Sequence, residues 1–420
     1  MRAKRATAVL GAIVAIVGIT SLGGVAAARA PRAAKFSGTL TVGELMPMSG
    51  SEAFVGEWFT HGAAAGIRAV NNAGGVMGMR LKTVLEDTAG DPVDAVPAYH
   101  ALLTSNPDFV VGPSSLEILG VIKFFGASKL PDFMEGGTTA LDHMHYPYVF
   151  RMFPSDSSLL AAEAYYAIHV LGCRRASLMY EDSTNAQDEV PPLVAAYTGN
   201  GGKILVNLKL EPNATSYLTE VADAFAPHPQ CVFFHATPAE MSTLSGNLQE
   251  EGHLNVHFIT GDTGTAVQLA KAMGLQFASK WLTGMTGAPP YAPAYKAFIS
   301  AYKQVWHTST PLPATEAMYD AVVVPALAIT MAGTTNSKVW VKDITRVSNP
   351  PGTPCYTYPS CVRLLHAHKK INYQGAGGNV DFNLYHNVFT PLTVEGWTTS
   401  GALRKIYTVT TTEQALMYRH

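Results

Sequence analysis

The sequence is poor in charged residues. Only 14% of its 420 residues are Asp, Glu, Lys or Arg, the formal net charge is −2, and no basic stripe runs along the chain. We therefore expect no binding to nucleic acid, because such binding depends on clustered positive charge. Hydrophobic residues make up 47% of the chain, which is enough for the cores of two domains of ordinary size.

The chain also lacks the short motifs that mark many enzymes and nucleotide-binding proteins. It has no Gly-x-Ser-x-Gly elbow, no Gly-x-Gly-x-x-Gly after the first predicted strand and no P-loop lysine. His143 with His145, and His366 with His368, form close pairs in sequence, but no further metal ligands are placed near them. We therefore predict that the protein is not an enzyme and binds no metal and no cofactor.

Cysteine is scarce, with four residues in the chain. Cys355 and Cys361 are separated by five residues in a Pro-rich stretch, and we predict a disulfide between them. Such a small loop contributes roughly 2 kcal/mol in the chain-entropy model. Cys173 and Cys231 each border a predicted strand, and they are either buried thiols or a second bridge. Neither pair has the spacing of a zinc-binding knuckle.

The N-terminus has the pattern of a secretory signal. Residues 1–5 are basic, residues 6–25 are mostly apolar, and an Ala-rich segment follows. A membrane anchor is the alternative, but Gly and Ala dilute the apolar run. We predict a signal peptide over residues 1–35 and a secreted or extracytoplasmic protein. No Cys lies near the cleavage region for lipid attachment, and we expect no later segment to be long and apolar enough to span a membrane.

Strand and helix patterns alternate from residue 38 to about residue 285. Short apolar runs, such as residues 109–111 and 231–234, are typical of parallel strands covered on both faces. The alternation predicts an α/β protein built from right-handed βαβ units. The pattern breaks at residues 151–156, where we expect a crossover into a second lobe. Residues 347–361 are Pro-rich, and we expect them to be irregular.

Small hydroxyl-rich loops follow the predicted strands. They read Ser-Gly-Ser at residues 49–51, Gly-Pro-Ser-Ser at residues 112–115 and Gly-Gly-Thr-Thr at residues 136–139. Backbone N–H groups and hydroxyls in such loops can hold a carboxylate without a countercharge. Ordinary turn chemistry is the alternative, since Gly, Ser and Pro favour turns. Three such loops at strand ends indicate a ligand site, because ligands bind at this edge of a parallel sheet.

Asp262 follows another apolar strand pattern, at residues 256–259. A carboxylate in that position would pair with a cation such as an ammonium group. The alternative is that it caps a helix beginning near Thr265. One aspartate can do both only if its two oxygens are divided between the two roles.

Taken together, these segments resemble the periplasmic solute-binding proteins of branched-chain amino-acid ABC transporters, the Leu/Ile/Val-binding type. The resemblance covers most of the mature chain. It rests on Met-Pro-Met-Ser-Gly at residues 46–50, Asn-Asn-Ala-Gly-Gly-Val-Met-Gly at residues 71–78, Glu-Asp-Thr at residues 86–88, Val-Gly-Pro-Ser-Ser at residues 111–115, Pro-Tyr-Val-Phe-Arg at residues 147–151 and Tyr-Asp-Ala at residues 319–321.

The resemblance implies a type I periplasmic-binding-protein fold, in which two α/β lobes with parallel sheets flanked by helices are joined by three crossings. Residues 36–154 and 286–373 would form lobe 1, and residues 155–285 and 374–420 would form lobe 2. The implied function is to capture a small amino acid or related carboxylate for an ABC permease. The alternative is a ligand-sensing protein of the same fold that signals to a membrane receptor.

The resemblance also implies which residues bind the ligand. Ser115 and Thr139 would hold its α-carboxylate, Gly137 would add backbone contacts, and Asp262 would bind its α-ammonium group. Carboxylate recognition on one lobe and ammonium recognition on the other would together define an α-amino acid.

Two further positions follow from the resemblance, and they concern the walls of the pocket. In the first lobe, a position that can be aromatic falls near Phe54 or Val55. In the second lobe, the family often has an aromatic residue in the loop matching residues 184–187, where this chain has Ala186. The pocket wall therefore differs from that of the family, and leucine is not secured as the ligand.

Overall fold

The computed structural model describes residues 36–50, 52–253, 255–287 and 293–418. The predicted signal peptide, residues 1–35, lies outside the described residues. The strands are, in chain order, β1 (Gly38–Met46), β2 (Met79–Asp87), β3 (Phe109–Val111), β4 (Asp132–Met134), β5 (Val149–Arg151), β6 (Arg175–Glu181), β7 (Lys203–Leu210), β8 (Cys231–His235), β9 (His257–Ile259), β10 (Leu282–Thr286), β11 (Thr353–Cys355), β12 (Ile371–Gly375), β13 (Gly378–Asn379), β14 (Leu392–Trp397) and β15 (Leu403–Val409).

Helices lie between most of these strands, and α4 continues as a π-helical turn over Tyr166–Val170. The α-helices are α1 (Ala53–Asn72), α2 (Ala95–Leu103), α3 (Ser115–Ser128), α4 (Asp156–Tyr165), α5 (Thr184–Gly199), α6 (Leu218–Phe225), α7 (Pro238–Glu250), α8 (Val267–Met273), α9 (Leu275–Trp281), α10 (Pro293–Trp306), α11 (Thr315–Ala332), α12 (Ser337–Trp340), α13 (Ile344–Ser348), α14 (Tyr358–His366) and α15 (Thr411–Leu416).

The first sheet has the strand order β2-β1-β3-β4-β5, and all its neighbouring strands are parallel. All of β3 and most of β1 are buried, as expected for strands covered by helices on both faces. The chain runs outward in opposite directions from β1 and β3. The loops that follow these two strands therefore diverge, and a crevice opens at the carboxyl edge of the sheet.

The second sheet has the order β15-β14-β10-β9-β8-β6-β7. Strands β6 to β10 are parallel, whereas β14 and β15 add an antiparallel edge. The order reverses between β6 and β8, so a second crevice opens beyond their carboxyl ends. We call the part of the chain around the first sheet the first lobe, and the part around the second sheet the second lobe. Strands β11 to β13 form a small separate sheet.

The chain passes between the lobes after β5, after β10 and after β13. The two-lobe α/β architecture with three crossings is therefore confirmed, while the residue boundaries given above for each lobe stay a prediction. The first and third crossings contact each other. The N–H of Arg151 donates to the carbonyl of His386 at 2.9 Å, and the N–H of Val388 donates to the carbonyl of Arg151 at 3.3 Å.

Helix α11 packs closely against α1 in the first lobe. A side chain at Gly62 would place its Cβ only 2.2 Å from the carbonyl oxygen of Thr315, so glycine is needed for this approach. By length and composition α11 could cross a membrane, and the expectation that no later segment could do so was wrong. Its apolar composition reflects its place in the core, because 78% of the helix is buried inside the protein.

Asp320, in the Tyr-Asp-Ala segment of α11, fixes the position of residues 373–377, which lie just before the third crossing. Its carboxylate accepts hydrogen bonds from the Tyr373 hydroxyl at 2.6 Å and from the N–H groups of Ala376 and Gly377 at 3.0 and 2.8 Å. Burial raises the pKa of Asp320 to about 6, although these three donors oppose the shift. The residue is therefore structural rather than part of the ligand site.

Both cysteine pairs are bonded. The sulfur atoms of Cys173 and Cys231 lie 2.00 Å apart, and those of Cys355 and Cys361 lie 2.11 Å apart. The first pair, which the sequence leaves open, joins the segment before β6 to the start of the adjacent β8. The second lies where the sequence predicts an irregular stretch. That prediction was wrong, because Pro359 occupies the first turn of α14, where proline starts a helix without losing a hydrogen bond.

We expect alkylation of the denatured, unreduced protein to label no cysteine, because both bridges form in an oxidising compartment. Mass spectrometry after alkylation measures this directly. A reduced sample serves as the control, and all four cysteines should then be labelled. Labelling of Cys355 and Cys361 without reduction would show that their disulfide does not form in the exported protein.

Candidate ligand-binding site

A cavity of about 170 Å³ lies between the carboxyl edges of the two sheets. On the first-lobe side it is lined by residues that follow β3 and β4, including Ser115 and Glu135. On the second-lobe side it is lined by Glu181 at the end of β6, His235 at the end of β8 and Asp262 after β9. This is where both sheets reverse strand order, and open α/β sheets bind ligands at such points.

The N-terminus of α3 faces this cavity. Ser114 precedes the helix, Ser115 begins it, and both line the wall together with Leu116. The Ser115 hydroxyl oxygen accepts a hydrogen bond from the N–H of Thr138 at 3.2 Å, which ties the helix to the neighbouring loop. Unpaired N–H groups at a helix N-terminus favour an anion. The Ser115 hydroxyl and these N–H groups can therefore hold a carboxylate.

Gly137, in the loop after β4, also lines the cavity, and Arg151 holds this loop in place from behind. The Arg151 side chain is only 1% exposed. One of its terminal nitrogens donates to the carbonyl oxygens of Gly137 and Thr138 at 3.1 and 2.8 Å, and the other donates to Asp142 at 2.6 Å. This positioning role was not predicted from the sequence.

Asp262 lies on the opposite wall and begins a short 3₁₀ helix, Asp262–Thr265. Its Oδ1 accepts a hydrogen bond from the N–H of Thr263 at 2.8 Å, whereas Oδ2 accepts none from any other described residue. The two oxygens are therefore divided, one serving the local turn and the other remaining free for a ligand. Burial raises the pKa of Asp262, and the nearby His235 opposes that shift.

Aromatic side chains from α1 form the apolar part of the wall. Phe54 and Val55 both line the cavity, as the resemblance implies for one of them. The Phe54 ring packs edge-on against Trp58, with 5.2 Å between the ring centroids. Trp58 also lines the cavity and was missed. The signal was available, because residues four apart on a helix share a face.

Two of the predicted site residues do not line the cavity. Thr139 begins the 3₁₀ turn Thr139–Leu141, two residues beyond Gly137, the last residue of the loop that reaches the wall. Ala186 is fully buried in the first turn of α5, and its neighbours Ser183 and Asn185 line the cavity instead. Contacts of Thr139 and Ala186 with a ligand stay a prediction. The loop at residues 49–50 also does not line the cavity, and Ser51 lies outside the described residues.

The most unusual property of the cavity is its charge. Six carboxylates line it: Glu52, Glu135, Asp156, Glu181, Glu189 and Asp262. Burial and the adjacent Glu117 raise the pKa of Glu52 to about 7, despite a hydrogen bond from Ser114. Burial and Glu240 likewise raise the pKa of Glu181 to about 7. Of these six, only Asp262 was predicted from the sequence, because the other five are scattered along the chain and share no motif.

His235 is the basic residue on the described part of the wall. Its Nδ1 lies 2.9 Å from a carboxylate oxygen of Glu189. Burial alone would lower its pKa, but the carboxylates of Glu189, Asp262 and Glu181 raise it to about 10. The imidazole is therefore protonated at neutral pH and neutralises one carboxylate.

Comparison with known proteins identifies the family. The model of the family described as "Periplasmic binding protein" matches residues 39–382, and the chain belongs to this family. The predicted resemblance to the Leu/Ile/Val-binding type is confirmed at this level. Family and fold are those of solute-binding proteins, which bind small molecules outside the cytoplasm and are not enzymes.

Three proteins that are distant in sequence align with this chain over most of their length. The chemotactic signal transduction system substrate-binding protein BasB of Halobacterium salinarum is 24% identical over 384 residues, which are 86% of this chain and 88% of BasB. The leucine binding protein LivK of Thermotoga maritima has a TM-score of 0.73 and 18% identity, covering 88% of this chain and 98% of its own. An R. palustris solute-binding protein in complex with benzoate has a TM-score of 0.72 and 14% identity, covering 89% and 96%. These structures confirm the type I periplasmic-binding-protein fold.

Proposed function

We propose that the protein captures a small amino acid, or a related carboxylate, outside the cytoplasm and delivers it to an ABC permease. One observation carries the proposal. The anion-binding N-terminus of α3 lies on one wall of the cavity, and Asp262, with one oxygen free, lies on the other. A small molecule with a carboxylate and an ammonium group is complementary to both walls.

The two-lobe architecture supports delivery of the ligand rather than its conversion. A ligand held by both lobes stabilises the closed arrangement, which a permease can recognise by its shape. Leucine binding by LivK and benzoate binding in the R. palustris structure are properties of those proteins. They support a carboxylate-bearing ligand here as part of the proposal, without selecting one.

A sensor of the same fold is the second candidate function. It is favoured by the relative BasB, whose name assigns it to a chemotactic signal transduction system. The two functions differ in the membrane protein that receives the closed form. Crosslinking of the ligand-loaded protein on intact cells separates them, because a permease subunit is expected in one case and a receptor in the other.

The proposed function is tested by a thermal-shift screen of α-amino acids and small carboxylic acids. A ligand at 100 times its dissociation constant stabilises the folded state by about 2.7 kcal/mol, which is readily measured as an increase in Tm. At least one compound of this class should stabilise the protein. A screen in which none does so would reject the proposal.

We expect Ser115→Ala to weaken ligand binding by roughly 1.5–3 kcal/mol, because the hydroxyl bonds a charged carboxylate. Thr139→Ala is the matched comparison, since both residues are predicted to bind this group but only Ser115 lines the cavity. Calorimetry should show the larger loss for Ser115→Ala. Unchanged affinity in both variants would exclude these hydroxyls as carboxylate ligands.

A further inference from the structure

The carboxyl groups on the cavity wall outnumber what a single ammonium group can pair with. Six carboxylates line the wall, and its described part contains no Lys or Arg. His235 is paired with Glu189, which leaves five carboxylates without a basic partner on the wall. If Asp262 binds the α-ammonium group of an amino acid, four acidic groups remain to be balanced by protons or by further positive charge.

Glu135 shows that this charge is not simply exposed to water. Its side chain is 5% exposed, and it has neither a hydrogen-bond partner nor an ion-pair partner among the described residues. The charged groups that act on it most strongly are Asp262, Asp156, Glu316 and Glu52, all of them acidic. A buried carboxylate in such surroundings is unfavourable unless it is protonated or paired with a cation. Because Glu135 lines the cavity, a ligand can supply that cation.

The acidic groups come from both walls. Glu52 and Glu135 belong to the first lobe, whereas Glu181 and Asp262 belong to the second. Like charges facing each other across a cleft oppose its closure, and a positive charge between them removes the repulsion. A cation deep in the cavity therefore contributes to closure as well as to binding.

We propose that the ligand is an α-amino acid whose side chain carries a second positive charge, of the ornithine, lysine or arginine class. This inference rests on the proposed function and specifies its substrate. The carboxylate lies at the N-terminus of α3, the α-ammonium group pairs with Asp262, and the side-chain cation lies among the remaining carboxylates, with Glu135 as its principal partner.

The apolar part of the wall suits the same ligand. Phe54 and Trp58 offer aromatic surface to the methylene groups of a long side chain, and a cation near an aromatic face is also favourable. A metal ion is a poorer occupant. Within the described residues, no group of three or more His, Cys, Asp or Glu side chains has the geometry to hold one.

The proposal predicts a pH dependence with a definite sign. Burial and the acidic neighbours Asp262, Asp156, Glu316 and Glu52 raise the pKa of Glu135, so protons compete with a cationic ligand for this carboxylate. The affinity for a dicationic ligand should therefore increase with pH, and it should be higher at about pH 8 than at about pH 6, on either side of the pKa of Glu52. An uncharged side chain should show a smaller change.

The test compares three ligands by calorimetry on the full mature protein. Lysine carries both ammonium groups and the carboxylate, norleucine lacks the side-chain ammonium group, and cadaverine lacks the carboxylate. Lysine, or the best of ornithine, lysine and arginine, should bind at least about tenfold more tightly than norleucine and cadaverine, with the pH dependence given above. Norleucine binding as tightly as the basic amino acids would overturn this inference but leave the proposed function intact. If no α-amino acid binds, this inference fails, whereas the proposed function fails only if no small carboxylic acid binds either. Cadaverine binding as tightly as lysine would overturn both, because the carboxylate would then contribute nothing to recognition.

Glu135→Gln tests the residue itself. The variant should bind lysine at least about tenfold more weakly and keep its affinity for norleucine, which also shows that it is folded. Glu57→Gln is the matched control, since Glu57 is in the same lobe, its side chain is 60% exposed and it does not line the cavity. An equal loss for both ligands in Glu135→Gln, or a loss for neither, would overturn the role assigned to Glu135.

Discussion

An Asp262→Asn variant should lose most of its affinity for an α-amino acid and retain its affinity for the corresponding deaminated acid. The amide oxygen can still accept the hydrogen bond from the N–H of Thr263, so the 3₁₀ turn is kept while the negative charge is removed. Truncating one partner of a buried charge pair costs roughly 2–5 kcal/mol. At about 1.4 kcal/mol per factor of ten, this is roughly a 30-fold to several-thousand-fold loss.

Calorimetry with both ligands on the wild type and the variant measures this difference. Asp188→Asn is the matched control, because Asp188 is an exposed aspartate on α5 in the same lobe and does not line the cavity. It removes the same charge from the second lobe and should change neither affinity. Equal losses for the two ligands in Asp262→Asn, or no loss for either, would mean that Asp262 only caps its turn and that the ligand is a simple carboxylate.

The second large effect is expected at Arg151. Arg151→Lys should lower the free energy of unfolding by roughly 1–3 kcal/mol, the usual cost of leaving a buried polar group without its hydrogen-bond partner. A lysine ammonium group cannot reach both Asp142 and the two loop carbonyls that the guanidinium joins. Because those carbonyls belong to Gly137 and Thr138, the affinity for the ligand should fall together with stability.

Urea denaturation and calorimetry on the same preparation give both quantities. Arg346→Lys is the control, since the Arg346 side chain is 64% exposed, unlike that of Arg151, and pairs with Asp343 only three residues earlier in the chain. Such pairs are worth only about 0.2–1 kcal/mol, so this variant should differ little from the wild type. Unaltered stability and affinity in Arg151→Lys would show that the guanidinium does not hold the loop.

The parts of the fold that could be predicted from sequence are those set by local patterns. Short apolar runs such as β3 and β8 marked the parallel strands, because strands covered on both faces contain few polar residues. The Gly-Pro-Ser-Ser turn before α3 indicated the ligand-binding edge of the sheet, because ligands bind at the loops that follow the carboxyl ends of parallel strands. Asp262 was predicted to line the ligand site because it also follows a strand pattern.

The features that could not be predicted depend on which segments, far apart in sequence, lie next to each other in the fold. Cys173 and Cys231 are 58 residues apart and meet only because β6 and β8 are adjacent in the sheet. Glu135 and Glu181 are ordinary acidic residues in sequence and become unusual when both line one cavity. Thr139 shows that a sequence pattern can place a loop at the cavity without placing each residue of it. The loop enters a 3₁₀ turn at Thr139, so this residue does not line the wall.

The hydrogen bonds between the first and third crossings limit how the two lobes can move. Arg151 is bonded to residues 386 and 388 in the other segment, so neither crossing can bend by itself without breaking this ladder. The two segments are therefore expected to bend together when the lobes move. A solute that contacts only one lobe does not hold the lobes together. The closed form should thus be stabilised only by solutes long enough to reach from the N-terminus of α3 to the second-lobe wall.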